Sequence, residues 1–111
     1  MGGNYIGEFE QMVLLAMLQQ GEKAYAIDVR KELERCAGRS VSRGALYRTF
    51  DRLEQKGYIE WELEDGNTVP DRGGQPMRRF HVTEAGLVAL RASRNALLKL
   101  WQGLDALLEK P

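Results

Sequence analysis

Residues 41 to 57, V-S-R-G-A-L-Y-R-T-F-D-R-L-E-Q-K-G, restrict the fold more than any other stretch, because they spell a short amphipathic helix with both ends marked. Ser42 can cap the first turn, and Val41 and Leu46 have the spacing of a hydrophobic staple. Leu46, Phe50 and Leu53 recur at helical intervals as one inward stripe, and Gly57 after Lys56 supplies a stop. The opposite side carries Gly44, Arg48, Asp51 and Gln55, with Tyr47 and Arg52 on its flanks and Arg43 on the first turn. Such a face suits phosphates and base edges. A surface helix whose arginines are merely solvated has the same pattern, and the segment taken alone favours that reading.

Its neighbours supply the context. Met1 to Gly7 is glycine-rich and is expected to be loose; from Glu8, E-F-E-Q-M-V-L-L-A-M-L-Q-Q followed by Gly21 predicts a helix. Between Met12 and Leu18 every side of that helix is apolar, more than one small core can cover, so a partner subunit is expected to cover the rest. Ala26, Val29, Leu33 and Cys36 share one side of a second helix closed by Gly38, with Cys36 expected in the core. The short A-G-R-S-V turn then leads into the charged helix, the layout of a helix-turn-helix.

After Gly57 the hydrophobic period changes from 3.6 to 2. Ile59, Trp61 and Leu63 point one way and Glu60, Glu62 and Glu64 the other, which predicts a half-buried strand. Residues 65 to 76 are rich in turn formers, and M-R-R-F-H-V returns as a second strand, so a hairpin with a long tip is expected. Helix, turn, helix and hairpin in this order make a winged helix, with the tip as the wing. Thr83 can cap a last helix, with Val82 and Leu87 as a staple and Glu84 at the positive end of the dipole. Leu87, Leu90, Arg94, Leu97, Trp101, Leu104 and Leu108 follow at spacings of three and four, a heptad seam interrupted by one arginine. Continued to about Glu109, that helix would be roughly 40 Å long. The expected architecture is therefore mainly α with a small β-hairpin: a winged helix-turn-helix over residues 1–82 and a C-terminal dimerisation helix over 83–111.

Charge supports the helix at 41–57 by its distribution rather than its sum. The 111 residues carry 16 Lys and Arg against 16 Asp and Glu, so the net charge is zero. Residues 23 to 56, however, hold nine of the cations against five acids. A single cysteine excludes an internal disulfide and fits a reducing, cytoplasmic setting. No apolar run approaches the roughly 18 residues of a membrane span, so no membrane role is expected. One histidine and one cysteine cannot assemble a metal cluster or a nucleophile-histidine-acid set, so neither an enzyme nor a cofactor is expected.

V-S-R-G-A-L-Y-R-T-F-D-R-L-E-Q-K-G-Y-I-E, the G-G-Q-P of the hairpin tip and R-R-F-H-V-T-E-A-G together resemble the PadR family of bacterial transcriptional regulators, across nearly the whole chain. The resemblance implies a winged-helix repressor that dimerises through its first and last helices, similar to short members with a single C-terminal helix. It puts Ser42, Gly44, Leu46 and Tyr47 on the serine, glycine and Leu-Tyr positions of the family's recognition helix, with Ser42 and Tyr47 as DNA contacts and Leu46 in the core. The chain departs from the family at Arg43 and Arg48, where members commonly carry proline at one or both positions, and at Phe80 and His81, where tyrosines usually precede the threonine.

The expected partners are double-stranded DNA and a second copy of the chain. Ser42, Arg43, Gly44, Tyr47, Arg48, Arg52, Arg72 and Arg78 are the expected DNA contacts, Gly44 by admitting a close backbone approach unless it is simply a packing glycine. Met12, Leu15, Leu90, Leu97, Trp101, Leu104 and Leu108 are the expected dimer interface. Trp101 either packs there or lines a pocket for a small aromatic effector. A winged helix that binds other proteins and not DNA is the competing expectation, and the even net charge would suit it.

Overall fold

The structure, a computed structural model, describes residues 6–21, 24–66 and 74–109. Three helices come first, α1 (Glu8–Gln19), α2 (Ala26–Ala37) and α3 (Arg43–Gln55). The hairpin β1 (Ile59–Gly66) and β2 (Gly74–Val82) follows, then α4 (Glu84–Trp101) and a single turn α5 (Asp105–Leu108).

The apolar stripes meet in one core. Val13, Leu14 and Met17 of α1, Val29 and Leu33 of α2, and Leu46, Phe50 and Leu53 of α3 are all nearly inaccessible, and Ile59 and Phe80 close the core from the hairpin. Phe50 stacks on Phe80 with ring centroids 4.2 Å apart, which fixes α3 against β2. The N-terminal segment expected to be loose is ordered at Ile6, which is 1% exposed. On α1 the core takes only one side: Leu15 and Leu18 remain exposed.

α1 also buries a charge. Glu10 Oε1 accepts from the Gly7 amide at 2.9 Å and from Lys56 Nζ at 3.0 Å, and Arg52 Nε lies 3.6 Å from Oε2. Burial alone would raise the carboxyl, but the Gly7 amide, Lys56 and Arg52 outweigh it and hold it below its ordinary value. These contacts tie the start of α1 to the end of α3.

Cys36 corrects the expectation of a core thiol. α2 buries Val29 and Leu33 only, and its last turn runs past the elements it packs on, so Cys36 is exposed and donates to Glu32 Oε2 at 3.0 Å. Gly38 ends the helix in the left-handed conformation, φ 61°.

In the hairpin Trp61 faces Phe80, Leu63 faces Arg78, and on the other side Glu62 faces Arg79 and Glu60 faces His81. The Glu62–Arg79 ion pair and the Glu60–His81 hydrogen bond lie on the outer face. Ala24 adds a one-residue bridge to β2, its carbonyl accepting from Phe80 N at 2.8 Å. The expected inward alternation of β1 fails at its far end: Leu63 is 65% exposed, because the core stops below it.

Thr83 joins the hairpin to α4. Its hydroxyl accepts from Gly86 N at 3.1 Å and donates to the Gly57 carbonyl at 2.6 Å, while its amide reaches the Tyr58 carbonyl at 3.0 Å. A Cβ on Gly86 would fall onto the Tyr58 carbonyl and within 2.8 Å of Val82 Cγ1, so only glycine allows α4 this close. Ala89 is buried and Leu90 packs against the same core, so the first turns of α4 belong to the winged helix. Beyond them the helix projects, exposed from Arg94 onward.

The continuous C-terminal helix expected to about Glu109 is a second correction. α4 has 18 residues, roughly 27 Å at 1.5 Å per residue, and stops at Trp101. Gly103 turns the chain with φ 82° before α5 starts. The radius of gyration is 16.1 Å, against about 13 Å for a compact chain of this length. The projecting helix accounts for an elongated outline of 53 × 37 × 23 Å.

Candidate nucleic-acid interface

Local sequence sets the face that α3 presents. Ser42 Oγ accepts from Ala45 N at 3.1 Å and starts the helix, and Arg30 Nε of α2 donates to the Val41 carbonyl at 3.2 Å, anchoring the turn just before it. Leu46, Thr49, Phe50 and Leu53 turn inward. Arg43, Gly44, Arg48 and Asp51 are left in solvent, and Tyr47 lies half-buried at their edge, its ring edge-on to Phe50 at 5.6 Å.

The cations divide into two sets. Arg35, Arg39, Arg52, Lys56 and Arg79 are each ion-paired with a glutamate. Among the described residues no ion pair engages Arg30, Lys31, Arg43, Arg48, Arg78, Arg91, Arg94 or Lys99; of these, Arg43, Arg48 and Arg78 lie on or beside the outer face of α3. Arg43 stands over the Tyr47 ring at 5.6 Å and Arg78 at 5.8 Å, while Arg78 also lies 4.4 Å from the Trp61 ring centroid. Arg30, Arg43, Tyr47 and Arg78 rim an open groove of about 550 Å³ between α2, α3 and the hairpin, with Ile27 and Leu63 among its apolar lining.

The sequence-predicted contacts are therefore partly brought together. Ser42, Arg43, Gly44, Tyr47 and Arg48 share one face, and Arg78 joins them from β2. Arg52 is turned to the side, its guanidinium shared between Glu10 and the Thr49 hydroxyl at 3.3 Å. Arg72 lies outside the described residues. A Cβ on Gly44 would meet only Arg48 Nη1, at 3.4 Å, an ordinary contact, so no packing within the chain demands glycine there. Arg30 and Trp61 were not expected at this face. Nothing in the period of α2 distinguishes Arg30 from its other solvent-facing charges, and the alternation of β1 places Trp61 inward without showing that its ring stays open on one side.

The expected dimer residues fall into two groups. Met12 and Leu90 are half-buried against the chain's own core. Leu15, Leu97, Trp101, Leu104 and Leu108 are exposed, as are Leu98 and Leu100 beside them, which makes the apolar side of the projecting helix broader than a heptad seam. The groove described above does not include Trp101. Among the described residues no helix is long and apolar enough to cross a membrane.

A family model described as the transcriptional regulator PadR-like family matches residues 14–92. The fold is similar to that of a PadR-like transcription factor from Bacteroides fragilis, with TM-score 0.72 and 22% identity over 89% of this chain and 88% of that one. A PadR family transcriptional regulator from Eggerthella lenta has TM-score 0.68 and 28% identity over 94% of this chain and 88% of that one. A PadR-like transcriptional regulator from Bacillus cereus has TM-score 0.71 and 21% identity over 93% of both chains. Among curated proteins, none matches the chain.

Proposed function

The chain belongs to the PadR-like family of transcriptional regulators, and from that premise we propose that it binds double-stranded DNA as a cytoplasmic homodimer and represses transcription from an inverted-repeat operator. The observation that carries this reading is a cluster of charge: Arg30, Arg43, Arg48 and Arg78, none of them ion-paired among the described residues, gather on or beside the face of α3 that the core leaves free. A guanidinium with no carboxylate to satisfy it is available to a phosphate or to a guanine edge.

In this reading α3 enters the major groove, with Arg43 and Arg48 on phosphates or bases and Tyr47 at the sugar-phosphate edge. Bare backbone at Gly44 lets the start of the helix approach a phosphate, where amides and the helix dipole favour an anion. Two copies joined through their projecting helices would present two such faces, matched to half-sites about one helical turn, ~34 Å, apart.

Anisotropy titrations of labelled genomic fragments over a range of salt test this directly. Arg48→Ala is expected to weaken binding about tenfold and to reduce the salt slope by about one. Gly44→Ala is expected to leave the unfolding free energy unchanged or up to about 0.5 kcal/mol higher, yet to weaken DNA binding. Failure of the wild-type protein to shift random or genomic duplexes would reject the DNA role and leave a protein-binding module.

A further inference from the structure

We propose that Trp61 is a positioning residue for DNA binding, holding the Arg78 guanidinium so that hairpin and α3 present one cationic stack, Arg43–Tyr47–Arg78–Trp61. The proposal rests on the DNA-binding reading above and assigns to it a residue that touches no DNA itself.

The geometry begins with the hairpin register. Trp61 pairs with Phe80 and Leu63 with Arg78, so Trp61 and Arg78 are diagonal neighbours on one face of the sheet, within reach of each other's long side chains. Phe80 spends its own ring face on Phe50, 4.2 Å away, and Trp61 is only partly buried. The Trp61 ring is thus open toward Arg78, whose guanidinium carbon sits 4.4 Å from its centroid. Tyr47 lies 5.8 Å on from Arg78 and 5.6 Å from Arg43, all inside the roughly 6 Å reach of cation–π attraction. Two rings and two guanidiniums therefore span from β1 to the first turn of α3.

Ring and phosphate do not compete for the same part of arginine. Aromatic faces take the flat side of a guanidinium, while its N–H donors point outward along the edge, where phosphate oxygens are met. Arg78 has no carboxylate partner among the described residues, so without the indole its long side chain is free to disperse. Held on Trp61, it loses less freedom when it meets DNA.

The stack itself is tested in the free protein. Arg78 side-chain proton resonances are expected to show ring-current shifts that disappear in Trp61→Leu; unshifted resonances in the wild type would overturn the stack whether or not DNA binds. Its role is tested by a double-mutant cycle on DNA affinity. Trp61→Leu and Arg78→Ala are each expected to weaken binding about fivefold and to lower the salt slope, the double variant to be no weaker than Arg78→Ala, and Trp61→Phe to restore most of the affinity. A Trp61→Leu variant that binds DNA normally, or losses that multiply in the double variant, would overturn the proposal. Melting curves establish that each variant is folded, and Trp61→Phe preserves the apolar packing if Trp61→Leu does not fold. Arg48→Ala lies outside the stack and reports on the DNA reading alone, so failure of that reading is separately visible.

Discussion

Glu10 is a buried charge held in its ionised form by the Gly7 amide and two cations, and that makes it a reporter of acid stability. Its folded carboxyl binds a proton less readily than the ordinary value of 4.5, because the Gly7 amide, Lys56 and Arg52 more than offset the effect of burial. A group depressed in this way stabilises the fold fully above the unfolded value and loses that contribution as pH falls through the folded one. Glu10→Gln is expected to lower stability at pH 7 by about 1–2 kcal/mol and to flatten the acid limb of a pH-dependent unfolding series; an unchanged limb would show that the Lys56 and Arg52 contacts do not persist in solution. Gly86 works through shape instead. With the Tyr58 carbonyl in the place of its missing Cβ, Gly86→Ala must push α4 off the hairpin and is expected to cost about 1–3 kcal/mol in chemical unfolding. Gly44 and Gly86 are the same residue type under opposite constraints, one open to solvent and one closed by backbone.

At the level of elements, what could be read from sequence depends on whether the signal was local. α3 is legible because Ser42, the Leu46–Phe50–Leu53 stripe and Gly57 all lie within it, and the strands are legible in their period. Places where the core stops are not written in any one segment. Cys36 continues the apolar stripe of α2 but lies past its support, and Leu63 continues the alternation of β1 past the last buried layer. Gly103 is a third case: spacing through it matches a heptad, yet its backbone turns left-handed and ends α4 at Trp101. Of the interface, the residues on α3 are legible from the helical wheel. The pairing of Arg52 with Glu10 and the aromatic shelf under Arg78 need the third dimension, since each depends on residues far apart in the chain.

For the whole molecule, the projecting half of α4 dominates. Leu97, Leu98, Leu100, Trp101, Leu104, Leu107 and Leu108 are exposed together, and burying a leucine is worth about 1.5–3 kcal/mol. The proposed dimer, closed over this helix, would cover such a surface, and light scattering is expected to show a dimer that Leu97→Glu shifts toward monomer while the winged helix stays folded. A Leu97→Glu chain with unchanged mass would place the contact elsewhere. With the proposed dimer, the same projection would make the chain's persistence a matter of dose. Association favours the folded protein by mass action, so in the proposed dimer a dilute chain would be left with an adhesive, protease-accessible arm while an abundant one would shield it, and the amount synthesised would set how long each molecule lasts.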